Sequence, residues 1–189
     1  YKIIYQYKKG LNIRMFAGGF LHKKENLSSL YNFRLSGSTG AEDYTYNETF
    51  VGRYENIPNK NFFSYQFIPN DGAFSTYTPH GSTNEWLVSL NLVSPLPIPD
   101  QVPLKLYANA AAFGKSVAVP GYTDLDPFAW EAGVKLTLGK DVFQIFLPLA
   151  MSNDLTNITN DLTNTYWERI RFTLKLNSLN PFKLAKKLF

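Results

Sequence analysis

The chain of 189 residues carries 18% charged and 16% aromatic side chains, 12 Tyr and 15 Phe among them, and a net charge of only +4. So small and scattered an excess excludes a nucleic-acid footprint, and the absence of Cys excludes disulfides and thiolate metal sites. No apolar run approaches the about 18 residues of a membrane helix, Ile145–Met151 being the densest, which leaves a membrane-spanning β-barrel open.

The dominant period along the chain is two. Lys2–Lys8 alternates noisily. Leu11, Ile13, Met15 and Ala17 then alternate with Asn12, Arg14 and Phe16, and Tyr31, Phe33 and Leu35 with Asn32, Arg34 and Ser36. Trp86, Val88, Leu90 and Leu92 alternate with Glu85, Ser89 and Asn91, and Leu104, Leu106, Ala108, Ala110 and Ala112 with Lys105, Tyr107 and Asn109. Phe128, Trp130, Ala132, Val134, Leu136 and Leu138 interleave with Glu131, Gly133, Lys135 and Thr137. Val142–Met151 follows, then Ile170, Phe172, Leu174 and Leu176 among Arg169, Arg171, Thr173 and Lys175. These segments predict an all-β, antiparallel up-and-down transmembrane β-barrel of eight strands over residues 1–178. Ten strands is the alternative, if Tyr44–Arg53 and Asn61–Phe67 form a further hairpin. Residues 179–189 read as a basic, amphipathic C-terminal tail suited to a lipid headgroup layer.

Turn chemistry separates the segments. Lys9-Gly10, Pro95–Asp100 and Gly139-Lys140-Asp141 are short; Gly114–Pro127, Asn153–Thr165 and the loop 37–83 are long. If the last strand descends to the periplasm, the long connections fall outside and the Gly139 and Pro95 turns inside, as membrane barrels require. The Lys9-Gly10 turn is then external although short. Pro148 inside the seventh strand predicts a bulge, since proline donates no ladder bond. Gly18-Gly19 predicts a kinked strand.

The polar face decides between a soluble and a membrane barrel. A soluble barrel turns its apolar face inward and carries many Lys and Glu outside; a membrane barrel does the reverse. Here the polar face is mostly Gly, Ala, Ser, Asn and Thr, with sparse charges expected to face the lumen: Arg14, Arg34, Glu85, Lys105, Glu131, Lys135, Arg169, Arg171 and Lys175. Trp86, Trp130, Tyr166 and Trp167 are expected at the membrane interface. The catalytic signals are weak. The histidines are His22 and His80, and no H-E-x-x-H pattern occurs. His80 with Ser82 and Glu85 could form a hydrolytic triad only by a convergence that sequence does not show. Asp124 and Asp126 are too few for calcium. No metal or cofactor is expected. Tyr at position 1, with no secretory pattern, points to a processed product or a fragment.

Three stretches carry a family resemblance: Tyr5–Arg14, Tyr31–Gly37, and Trp167–Leu174 with Leu179-Asn180-Pro181-Phe182. The chain resembles the C-terminal membrane-barrel region of Bacteroidota M1-family metallopeptidase-like outer-membrane proteins. In that family zinc binding and hydrolysis belong to an upstream domain, so no catalytic residue carries over. The resemblance implies a barrel in a bacterial outer membrane that anchors or docks a larger peptidase-like protein or complex. Its partners would be the lipid bilayer, an upstream peptidase domain or other outer-membrane proteins, and it would do no catalysis itself. A lipid-hydrolysing barrel enzyme and a soluble lipocalin-like binder are the competing readings.

Overall fold

A computed structural model describes residues 1–6, 9–21, 31–53, 61–96, 103–139 and 141–175. The strands are β1 (Lys2–Gln6), β2 (Lys9–Gly19), β3 (Ser38–Thr39), β4 (Phe67–Ile68), β5 (Trp86–Pro95), β6 (Leu104–Phe113), β7 (Phe128–Leu138), β8 (Phe143–Met151) and β9 (Arg171–Leu174). One α-helix, α1 (Asn153–Leu162), lies between β8 and β9. Seven strands form a curled half-barrel in the order β1-β2-β5-β6-β7-β8-β9, each antiparallel to its neighbour. β3 and β4 form a separate pair. The tail 179–189, His22 and the tips of the Lys2–Lys8, Pro95–Asp100 and Gly139–Asp141 segments lie outside the described residues.

Strands occupy seven of the eight alternating segments. The exception is Tyr31–Ser36, which has the pattern but not the ladder. Phe33 makes one antiparallel bridge to Thr83, and Ser36 one parallel bridge to Phe74. β2 therefore pairs directly with β5, from Asn12↔Val93 to Gly19↔Trp86. Residues 20–85 form one long insertion between neighbouring strands, so residues 44–53 and 61–67 add no crossing of the main sheet. This corrects the expected direction of one turn. All long connections now leave one end of the sheet, and the β1–β2 connection joins the short ones at the other end.

The bulge expected at Pro148 is present. Ala132 pairs with Ala150 but Gly133 pairs with Pro148, so Leu149 is the extra residue. Gly133 makes this possible: a Cβ there would run into the Leu147 carbonyl oxygen and approach the Tyr107 hydroxyl to 2.7 Å. Gly18 has a different role from the expected kink. β2 keeps unbroken register with β5 through Gly18, and a Cβ there would lie 2.7 Å from the Phe33 ring. The glycine lets the insertion approach the sheet.

α1 forms where the sequence reads as a polar loop. Its Asn, Thr and Asp residues are poor helix formers. Its buried face, Leu155, Ile158 and Thr159, follows helical spacing, and Leu155 joins the core. Tertiary packing rather than propensity holds it.

Candidate functional site

The two faces of the sheet differ sharply. On the convex side Met15 is 72% exposed, Leu149 67%, and Trp86, Val88, Leu106 and Trp130 are also exposed. On the concave side Ser89, Asn91, Asn109, Glu131, Lys135, Thr137, Gln144, Arg171 and Thr173 are buried. The outward row is apolar and exposed, while the buried inward face combines these polar and charged side chains with Leu87, Tyr107, Ala111, Phe113, Ala129 and Phe146.

What buries the polar face is the long insertion. Near the long-connection end its Leu35 and Phe74 pack with Leu87, Ala111, Phe113 and Ala129 of the sheet and Leu155 of α1. Deeper, Phe67 packs with Tyr107 and Phe146. Between these apolar clusters runs a polar row fixed by strand register: Arg14 opposite Asn91, Asn91 opposite Asn109, Asn109 opposite Glu131. Each side chain reaches the next. Arg14 Nη1 donates to Asn91 Oδ1 at 2.7 Å, Asn91 Nδ2 to Asn109 Oδ1 at 3.0 Å, and Asn109 Nδ2 to Glu131 Oε1 at 2.7 Å.

The row grips the insertion along residues 71–76. Arg14 donates to the Asp71 carbonyl at 2.8 Å, and Asn91 to the Gly72 carbonyl at 2.9 Å. Glu131, fully buried, accepts from Ser75 N at 2.6 Å, Ser75 Oγ at 3.0 Å and Thr76 N at 2.9 Å. Across the concave face, Arg171 Nη1 donates to the Ser75 carbonyl at 3.1 Å, and its guanidinium lies 4.4 Å from the Phe67 ring centroid. Positive charges on β2 and β9 thus meet carbonyls, and the carboxylate on β7 meets amides. A buried charge is tolerable only with such partners.

The other expected site residues lie off this row. Lys135 is on the inner face and donates to Gln144 at 3.2 Å; Lys105, its cross-strand neighbour, pairs with Asp141 at 3.5 Å at the short-turn end. Arg34 belongs to the insertion and pairs with Glu42 at 3.3 Å. Glu85 precedes β5 and accepts from Lys115 N at 2.9 Å. Arg169 follows α1 and bonds Asn160 and Thr163, while Lys175 is exposed just beyond β9. Trp86 and Trp130 stand on the convex face at the long-connection end. Tyr166 and Trp167 sit in a short 3-10 helix rather than on a strand. Sequence reasoning missed Asn91, Asn109, Ser75 and Thr76 as partners of the charges. Register would have aligned the two asparagines; nothing local marks Ser75.

No family model, curated protein or solved structure matches the chain.

His80 is buried, with Nε2 3.0 Å from the Asp126 carbonyl oxygen and its ring edge-on to Phe113. Burial pushes its pKa below the ordinary 6.5, against the opposing pull of Asp126 and Asp154. Its Nδ1 has no hydrogen-bond partner among the described residues. Ser82 Oγ accepts from Asn32, and Glu85 faces Lys115, so the hydroxyl and the acid of the sequence triad are engaged in other contacts. Asp126 N is bonded by Asp154. Among the described residues no three His, Asp or Glu side chains gather as metal ligands. The insertion beyond the lumen is organised by Arg53, which donates to Asp43 Oδ2 at 2.9 Å and to the Asp43 and Glu48 carbonyls, with its guanidinium 4.2 Å from the Tyr46 ring centroid.

Proposed function

We propose that the chain is the membrane-embedded module of a bacterial outer-membrane protein, with a lumen closed by its own inserted segment and a structural rather than catalytic task. The single observation behind this reading is the inverted sheet: apolar residues exposed on the convex side, with Glu131, Lys135 and Arg171 buried and Arg14 half-buried on the concave side. In water the convex face would be an unshielded run of exposed apolar residues, the kind of surface that marks a protein or membrane contact. Against acyl chains it needs no cover. The plugged lumen argues against an open pore, and the lipid-hydrolase reading loses ground because the His80 ring is occupied by Asp126 and Phe113. A soluble lipocalin-like binder would need an open apolar cavity, whereas here the insertion fills the concave face, packed on apolar clusters and on a charged row.

The likeness of Trp167–Leu174 and Tyr31–Gly37 to M1-family membrane regions adds the proposal that the module anchors or docks a peptidase-like partner. The test is co-flotation with phosphatidylcholine vesicles, read together with quenching of tryptophan fluorescence by bromine-labelled acyl chains. Trp86, Trp130 and Trp167 are the three tryptophans and all are exposed. Flotation with strong quenching is expected. A detergent-free soluble monomer with unquenched tryptophans would end the membrane reading.

A further inference from the structure

We propose that one monovalent anion of chloride's size binds where β9, α1 and the insertion meet, held by Arg171, Thr76 and Thr159, and that it locks the insertion to the sheet. The site is a nearly closed cavity of about 20 Å³ lined by these three side chains, with Tyr77, Leu162 and Glu168 also in its wall. Every residue that lines it is a described one. Arg171 opens β9, Thr76 ends the stretch gripped by Glu131, and Thr159 belongs to the buried face of α1.

The first support is the guanidinium. Arg171 is 1% exposed, and its Nη1 donates to the neutral Ser75 carbonyl. Its Nε and Nη2 are buried with no hydrogen-bond partner among the described residues. These two nitrogens share one edge of the planar group and present parallel N–H bonds, the arrangement with which arginine grips an anion. A buried cation needs a charged or fully bonded partner, and the Phe67 ring covers only its face. The surrounding carboxylates are engaged elsewhere: Glu131 by Ser75, Thr76 and Asn109, Glu42 by Arg34 and the Thr39 amide, and Glu168 by the Asn164 amide.

The second support is the rest of the wall. The hydroxyl oxygens of Thr76 and Thr159 are also buried with no partner among the described residues. Two guanidinium nitrogens and two hydroxyls, from three separate elements, thus belong to side chains around one small cavity. All four can donate, which suits a guest that only accepts. A water molecule must place two hydrogens of its own, and it brings no charge to offset the guanidinium. The third support is size. A cavity of about 20 Å³ admits one guest of atomic dimensions and is too small for a carboxylate or a phosphate.

Opening of the insertion separates Thr76 from Arg171, so an anion bound only to the closed form slows amide exchange. The test is hydrogen–deuterium exchange of the whole chain in detergent micelles, with gluconate, too large for the cavity, keeping the ionic strength constant. Raising chloride from about 5 to about 500 mM should slow exchange at Ser75, Thr76 and Thr163 about tenfold, as a site with a Kd of about 50 mM requires. Thr159→Val exchanges an unpaired hydroxyl for a methyl group. In gluconate it should exchange no faster than the parent, yet it should lose the response to chloride. Arg171→Lys keeps the charge, removes the paired N–H edge, and should lose the response too; if that variant fails to fold, Thr159→Val decides. Parent exchange that ignores chloride would overturn the proposal, as would a chloride response left intact in Thr159→Val. Faster exchange of Thr159→Val by the same factor in both salts would make the hydroxyl merely structural and overturn it as well. The same measurement applies in detergent-free buffer, so its outcome does not hinge on the membrane reading.

Discussion

Replacing Glu131 by Gln tests whether the lumen row holds the insertion. Shape is kept, but one acceptor oxygen becomes a donor. Oε1 receives Ser75 N, Ser75 Oγ and Asn109 Nδ2, whereas Oε2 receives Thr76 N. The amide nitrogen does least harm at the Oε2 position, where it opposes the Thr76 N–H and leaves two buried donors facing each other. The loss of one hydrogen bond to a charged group, with an orphaned amide, costs about 2–4 kcal/mol. With every 1.4 kcal/mol worth about tenfold, amide exchange at Ser75 and Thr76 should quicken by about 30- to 700-fold. Exchange at Asn109 and Tyr107, within the β6 ladder, should change far less. The assay is hydrogen–deuterium exchange with mass spectrometry in detergent micelles. Exchange at Ser75 and Thr76 within threefold of the parent would refute the view that Glu131 clamps the insertion.

Further outcomes follow from other parts of the molecule. Val134→Lys places a charge at the middle of the convex face and should cost about 2–4 kcal/mol of insertion stability, read as loss of vesicle flotation; full flotation would contradict the outward assignment of Val134. Gly133→Ala drives a methyl group against the Leu147 carbonyl and should cost about 1–3 kcal/mol, lowering the unfolding temperature in micelles, because backbone cannot yield as a side-chain tip can. For His80 the folded state holds the pKa below 6.5, so folding favours the neutral ring. Its contribution is intact above pH 6.5 and is lost as pH falls from there through the lower folded value. Protection of the amides around residues 79–82, corrected for the intrinsic pH dependence of exchange, should therefore fall between pH 7.5 and pH 5, and His80→Gln should flatten that dependence.

Much of this was legible because strand text is local. Alternation at Phe128–Leu138 and Trp86–Leu92 marked both the strands and the face each residue takes, and Pro148 marked its own bulge. Tyr31–Ser36 misled because alternation is a statement about two environments. Residues of a plug packed between a sheet and solvent meet the same two environments as a barrel strand. α1 was hidden by its Asn and Thr content, since packing against Phe74 and Leu87 outweighs weak propensity. The grip of Glu131 on Ser75 joins residues far apart in sequence, and only the folded register brings them together. Arg14, Glu131, Lys135 and Arg171 were readable as charges on the polar face, but not what they would hold.

β2 ends and β5 begins side by side, at Gly19 and Trp86, although 66 residues separate them. The two strands therefore zip only after that whole excursion has come back on itself. Relative to the four-residue β7–β8 reversal, closure costs about 2.5 kcal/mol more in chain entropy. The meander from β5 to β8 has only shorter returns, so it assembles first and offers β2 a finished template. Pulse labelling during refolding into micelles should find the amides of β6 and β7 protected while those of β2 still exchange; simultaneous protection would show that the excursion is already collapsed in the unfolded chain.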